Sequence, residues 1–212
     1  MPTVLQPNFD ASLHQMVQAI VTVLAVINPV VCGSIFLTLT PQLLPTQRRR
    51  AAVRVAFSIL IILLAAALIG LKVLSAFNIS IDAFQIVGGM IIAFMGFDML
   101  RGGQTVGQAP PTDDATTSPS LAPLVMFAAG PGTIAAVVTL AAVHTPDSFP
   151  VTAMIAAVVG AGVTLVALLL VIGVGSHIGR STQALVTRFM GLIVASMGMQ
   201  FVLTGLKAFF KT

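Results

Sequence analysis

The sequence contains no tryptophan, no tyrosine and no glutamate, and only one cysteine, Cys32. A single thiol excludes an intrachain disulfide and leaves the redox compartment unread. Without Trp and Tyr, an aromatic belt at a membrane interface falls to phenylalanine alone. Charge is scarce too: 8 % of the residues are charged, where soluble domains carry about 25 %. A water-soluble globule is thereby excluded. There is no Walker loop, no GxSxG, no paired acid site and no metal-like spacing of His, Cys and Asp. Neither an enzyme nor a cofactor or metal site is expected. No basic patch alternates with aromatics, so nucleic acid is not an expected partner.

What the chain has in quantity is apolar side chains, 57 % of 212 residues. Charges punctuate it into six uncharged windows: 16–39, 55–71, 83–97, 121–143, 150–176 and 189–206. A helical bilayer crossing needs about 17–25 apolar residues, and only 83–97 falls short of that range. Backbone amides in lipid must bond internally, which helices achieve within one segment. Barrel strands would alternate polar and apolar residues, and these windows are apolar on all sides. The expected fold is an all-α membrane protein with six transmembrane helices.

The first 13 residues carry Asp10 and no Lys or Arg, so they read as a short mature tail and not as a secretory signal. With an external N-terminus, the inside loops hold Arg48, Arg49, Arg50, Arg54, Arg101, Arg180 and Arg188, and the outside segments hold Lys72, Lys207 and Lys211. This asymmetry places both termini outside. Residues 102–120 are rich in Gly, Pro, Ser, Thr and Gln and read as a flexible polar linker. The linker separates a first three-span unit, 1–101, from a second, 121–212.

Sliding the chain against itself by 102 residues aligns Pro29 with Pro131, Gly89 with Gly191, Ile91 with Ile193, Ala93 with Ala195, Met95 with Met197, Gly96 with Gly198 and Gly103 with Gly205. Each unit has an odd number of spans, so the second enters the membrane from the opposite side. Such inverted repeats are frequent in secondary transporters, where the site lies at the repeat interface. Gly89, Gly96 and Gly103, with Ala93, form a small-residue stripe; Gly191, Gly198 and Gly205, with Ala195, form another. Close helix packing is the expected use of these stripes.

The first and fourth spans carry breakers near their middles. Asn28-Pro29 is followed by Cys32, Gly33 and Ser34, and the fourth span contains Gly130-Pro131-Gly132-Thr133. Proline removes an amide donor and obstructs the preceding turn, and glycine lets the backbone leave helical geometry. Two breaks at one repeat position predict discontinuous first and fourth helices. Their freed N–H groups and positive dipole ends suit a substrate carboxylate. The plainer alternative is a pair of proline kinks.

Asp98 is the acid to weigh. Mapping the sixth span back through the repeat extends the third window to 87–104, which takes in Asp98 and aligns it with Gln200. An acid inside the membrane is a candidate for proton coupling; the alternative is an interfacial Asp one turn from Arg101. His14, His144 and His177 fall at span ends and read as wet interfacial residues.

Several segments together resemble the MarC family of bacterial integral membrane proteins, related to six-span neutral amino acid transporters. They are Asn28-Pro29 with Ile35-Phe36-Leu37 and Thr40, the Arg-rich first loop, Phe84-Gln85-Ile86-Val87-Gly88-Gly89, Asp98-Met99-Leu100, Ala129 to Ile134, and Gly191-Leu192-Ile193 through Gln200-Phe201 to Gly205-Leu206. The resemblance covers nearly the whole chain. It implies a bacterial inner-membrane location, a small neutral amino acid such as alanine or glycine as substrate, and proton-linked movement. One departure stands out. After Asn28-Pro29 the family typically continues with a Gly-Asn pair and a further proline, where this chain has Val31, Cys32 and Ser34. An exporter of other small solutes and a non-transporting scaffold or sensor are the competing readings. A homo-oligomer stays open.

Overall fold

A computed structural model describes residues 6–102, 120–144, 149–174 and 180–210. Eight helices follow in order: α1 (Gln6–Ile27), α2 (Pro29–Leu39), α3 (Pro45–Ala76), α4 (Ile81–Leu100), α5 (Ala122–Ala128), α6 (Pro131–His144), α7 (Val151–Val174) and α8 (Arg180–Phe209). They supply six candidate membrane spans: Leu13–Leu39, Pro45–Ala76, Ile81–Leu100, Ala122–Ala142, Val151–Gly173 and Ala184–Phe209. The all-helical, six-span expectation is met. Nearly all of the expected linker, residues 103–119, lies outside the described residues, as do Gly103 and His177.

The helices run beyond the uncharged windows because local chemistry sets their ends. The Gln47 side chain accepts from the Leu44 backbone N–H at 3.0 Å, and Pro45 occupies the first turn of α3, where its missing donor is not needed. At the other end Asn78 adopts a left-handed φ of 54°. The Ile79 N–H then reaches back to the Leu74 carbonyl at 2.9 Å, closing the helix as a left-handed C-terminal motif does. Ser80 caps α4 by accepting from Ala83 N–H at 3.3 Å, so Asp82 falls inside the first turn, beside the positive end of the dipole.

The fourth span is the core of the bundle. Inside the bundle, 78 % of its apolar window is buried, against 50 % for the first span and 28–39 % for the other four. From Gly132 to Ala142 every residue of α6 except Ile134 is buried. Around it, α3 and α7 pack on each other, α1 and α2 lie on α7, and α4 lies along α6.

Helix α4 divides into three stripes. Gly89, Ala93 and Gly96 face α8, Gly88, Ile92 and Met95 face α6, and Val87, Met90, Phe94 and Phe97 are exposed, as membrane-facing residues are. The contact with α8 sets backbone against backbone. A Cβ on Gly89 would stand 2.7 Å from the Gly198 carbonyl oxygen, and one on Gly198 would stand 2.6 Å from that of Gly89. Gly205 meets the Asp82 carbonyl at 2.9 Å in the same sense. Numbers rise along α4 as they fall along α8, so the pair is antiparallel. The small-residue stripes are therefore packing surfaces.

Candidate functional site

Only Asn28 separates α1 from α2. Its φ of 52° and ψ of 75° are left-handed, a conformation that Asn tolerates better than most side chains. Pro29 offers no N–H, so the carbonyl one turn back, at Ala25, lacks its usual helical donor. The junction partly repairs itself. Asn28 N–H donates to Leu24 and its carbonyl accepts from Cys32 N–H at 3.0 Å. Asn28 Oδ1 accepts from Val31 N–H at 3.3 Å, and Cys32 Sγ donates to the last carbonyl of α1, Ile27, at 3.2 Å.

What this leaves over is polar and buried. Asn28 is 3 % exposed, and its Nδ2 has no hydrogen-bond partner among the described residues. A buried amide donor without a partner costs about 1–3 kcal/mol, so the position calls for an acceptor. Cys32 is fully buried. Gly33 turns to α7, where a Cβ would stand 3.0 Å from Val171 Cγ2. Ser34 is partly buried, and its hydroxyl donates to Val30 at 3.2 Å.

On the fourth span α5 ends at Ala128 and α6 begins at Pro131, with Ala129 and Gly130 between. Gly130 has no room for a Cβ beside its own Met126 carbonyl, and its carbonyl accepts from Ile134 N–H at 3.0 Å. Pro131 is exposed and Gly132 buried. Gly132 faces α4: a Cβ there would stand 3.0 Å from Ile92 Cγ1 and 3.2 Å from Met95 Sδ. Thr133 is fully buried and its hydroxyl has no partner among the described residues.

The Thr133 hydroxyl is unusual in this chain. Thr22, Thr40 and Thr164, also buried, each donate to the carbonyl four residues back at 2.7–2.8 Å. Thr133 does not, and neither does Thr139, 3 % exposed on the same helix. Sequence reasoning missed Thr139; a second threonine two turns into an otherwise apolar helix was the available signal. It also missed Ile92 and Met95 as the wall of Gly132.

The two junctions sit on neighbouring elements, with α2 packed on α5 and α1 on α6. Asp98 lies partly buried in the last turn of α4, while Gln200 is exposed on α8, so this offset pair does not share an environment. An apolar groove of ≈ 340 Å³ lined by Phe149, Val151, Met154, Ile155, Val158 and Val159 lies at the start of α7. It offers no polar group and is remote in chemistry from the two junctions.

A family model described as MarC family integral membrane protein matches residues 13–210. The chain is 31 % identical over 202 residues to UPF0056 membrane protein MJ1677 of Methanocaldococcus jannaschii, covering 92 % of this chain and 97 % of that one. It is 32 % identical over 191 residues to UPF0056 membrane protein PYRAB13050 of Pyrococcus abyssi, covering 88 % and 91 %. UPF0056 inner membrane protein MarC of Salmonella typhimurium is 29 % identical over 208 residues, covering 91 % and 94 %. No solved structure matches the chain. The chain is a multi-pass membrane protein and belongs to the MarC (UPF0056) family.

Proposed function

We propose that this protein is a secondary transporter of small neutral amino acids, of the alanine and glycine class, built as two inverted three-helix repeats with discontinuous first and fourth spans. The observation that carries the reading is the pair of unspent buried groups, Asn28 Nδ2 and Thr133 Oγ1. Each stands at a proline-marked junction, and the two prolines are 102 residues apart. A junction that were only a kink would gain by satisfying these groups internally. A carboxylate accepts from Nδ2 and from the first N–H groups of α2 or α6, while a threonine hydroxyl can turn to accept from an ammonium.

The glycine contacts support the repeat. Adding 102 to Gly89 gives Gly191, and subtracting 102 from Gly198 gives Gly96. The contact Gly89–Gly198 thus maps onto Gly191–Gly96, itself a contact. A two-fold axis in the membrane plane would produce this exchange.

Packing also differs between the halves in the way alternating access requires. Between α4 of the first unit and α6 of the second, Gly88 seats on Ala135, and Ile92 and Met95 on Gly132. The images of Ala135 and Gly132 are Gly33 and Val30. Gly33 instead faces α7, and Val30 is 50 % exposed. The seating of α4 on α6 thus has no counterpart in a seating of α8 on α2 at these two positions.

The Arg48–Arg50 loop is assigned to the cytoplasmic side of the inner membrane, with both termini external. Uptake and efflux of labelled alanine, glycine and serine in proteoliposomes tests the function. Wild-type protein moves at least one of them, and Thr133→Val in a well-folded protein moves it at least tenfold more slowly. Movement of none of the three by active protein defeats the amino acid reading.

A further inference from the structure

Three of the four arginines at the start of α3 have no structural task. Arg48 has one: its Nε donates to the Thr40 carbonyl at 2.9 Å and an Nη2 to Pro41 at 3.2 Å, tying α2 to α3. Arg49, Arg50 and Arg54 are exposed, and among the described residues no carboxylate pairs with them. The first turn of α3 contains no acid. Arg49, Arg50 and Arg54 follow within the next two turns, and like charges four apart on one helix face, such as Arg50 and Arg54, repel one another. An outside anion would relieve that repulsion.

The depth of these groups identifies the anion. Helix α3 has 32 residues and is about 48 Å long, longer than the bilayer hydrocarbon of about 30 Å. Arg54 and Lys72 are about 27 Å apart along it, so they bracket the apolar slab. Arg49 and Arg50 then stand at headgroup level. Arg50 and Arg54 are one turn apart on one face, and that face continues through Phe57 and Ile61, 61 % and 51 % exposed. Val53, 52 % exposed, flanks it. Guanidinium groups thus cap an acyl-contacting stripe on a single helix face.

We infer that Arg49, Arg50 and Arg54, with Val53, Phe57 and Ile61, form a binding site for the phosphate headgroup and upper acyl chain of an anionic phospholipid. Arginine suits the task because its planar fork binds phosphate oxygens in pairs. The apolar stripe below the charges favours a lipid over a free phosphate, which has nothing to place there. This site is separate from the two junctions and does not depend on the transport reading.

The test is native mass spectrometry of the full chain released from nanodiscs of phosphatidylglycerol mixed with phosphatidylcholine. The wild type retains phosphatidylglycerol in preference, and loses it as salt rises toward about 1 M, where screening is effective beyond about 3 Å. Each of Arg49→Gln, Arg50→Gln and Arg54→Gln lowers affinity about fivefold and the triple variant about a hundredfold. Phe57→Ala lowers it without changing the salt dependence. Inorganic phosphate at millimolar concentration leaves the bound lipid in place. Equal retention of the two lipids by the wild type overturns the site, whatever the variants do. Displacement of the lipid by inorganic phosphate also overturns it, and would identify a soluble-anion site.

Discussion

Gly96 and Gly191 approach so closely that a Cβ on Gly96 would stand 2.6 Å from the Gly191 carbonyl oxygen, and a Cβ on Gly191 would stand 2.9 Å from that of Gly96. Backbone on both sides cannot yield as a flexible side chain would. Gly96→Ala is therefore expected to destabilise the protein by about 1–3 kcal/mol, read as a lowered unfolding midpoint in detergent. Gly162, with nothing within 4 Å of its missing Cβ, is the control, and Gly162→Ala should leave the midpoint unchanged or raise it. Equal behaviour of the two variants would refute the close pairing of α4 with α8.

Asn28 combines three roles that substitutions can separate. Asn28→Gly keeps the left-handed backbone but loses both the cap to Val31 and the Nδ2 donor. Asn28→Asp keeps the cap and places a second negative charge where a substrate carboxylate would bind. Asn28→Ala loses the cap and strains the backbone, costing about 2 kcal/mol in all. In thermal unfolding Asn28→Gly should be the least damaging of the three, because Asn28→Asp buries a carboxylate with no cation beside it. In substrate binding Asn28→Asp should be the worst. If Asn28→Asp binds neutral amino acids as the wild type does, Asn28 is a structural cap alone.

Cys32 is buried and hydrogen-bonded to Ile27 at the junction itself. A small membrane-permeant alkylating reagent, followed by mass spectrometry, should label it slowly in the resting protein. Conditions that drive turnover should accelerate labelling, because opening the junction breaks that bond. Fast labelling at rest would contradict the closed geometry.

Much of this was legible in the sequence. Each uncharged window lies within a candidate span or overlaps it almost completely, because transferring charge into hydrocarbon costs enough to exclude it almost everywhere else. The glycine stripes announced a close helix contact, since seven-residue spacing of small side chains has few other uses in lipid. Helix ends were less legible. The four arginines fall inside α3, because the capping geometry at Leu44 and Pro45 starts the helix before the membrane does. At the candidate site, Asn28 and Thr133 were found from prolines nearby. Whether a threonine hydroxyl spends itself on its own helix is decided by its rotamer and its neighbours in space, so Thr133 and Thr22 look alike in a sequence. Likewise, nothing in the sequence shows that the Cβ direction of Gly132 points at Ile92 and Met95. Gly132→Val therefore tests the seating of α4 on α6 more than ligand contact.

The asymmetry between the halves predicts a second conformation. Applying the 102-residue offset to the Gly132–Met95 contact gives Val30 and Met197. In a Cys32→Ala background, the double variant Val30→Cys, Met197→Cys should cross-link during turnover and be trapped with transport arrested. Reduction should restore it. Absence of any cross-link across substrate and gradient conditions would remove the exchange of roles between α4 and α8.

Asp98→Asn tests coupling. The variant should fold and bind substrate as the wild type does, but its transport should no longer respond to a pH gradient across the vesicle. An unchanged response would assign Asp98 to the membrane interface beside Arg101.

The antiparallel glycine contact also constrains how the protein is made. The partner of Gly96 emerges 95 residues later in the chain, which at ribosomal speed is about 5–20 s. Throughout that interval α4 lies in the bilayer with its small-residue face covered only by lipid. The face it awaits carries the same spacing turned over, so a neighbouring nascent chain in the opposite orientation presents an equally good surface. Closure of α4 on α8 therefore waits until the sixth span has been made. A chain interrupted within residues 103–119 would leave α4 with its small-residue face uncovered.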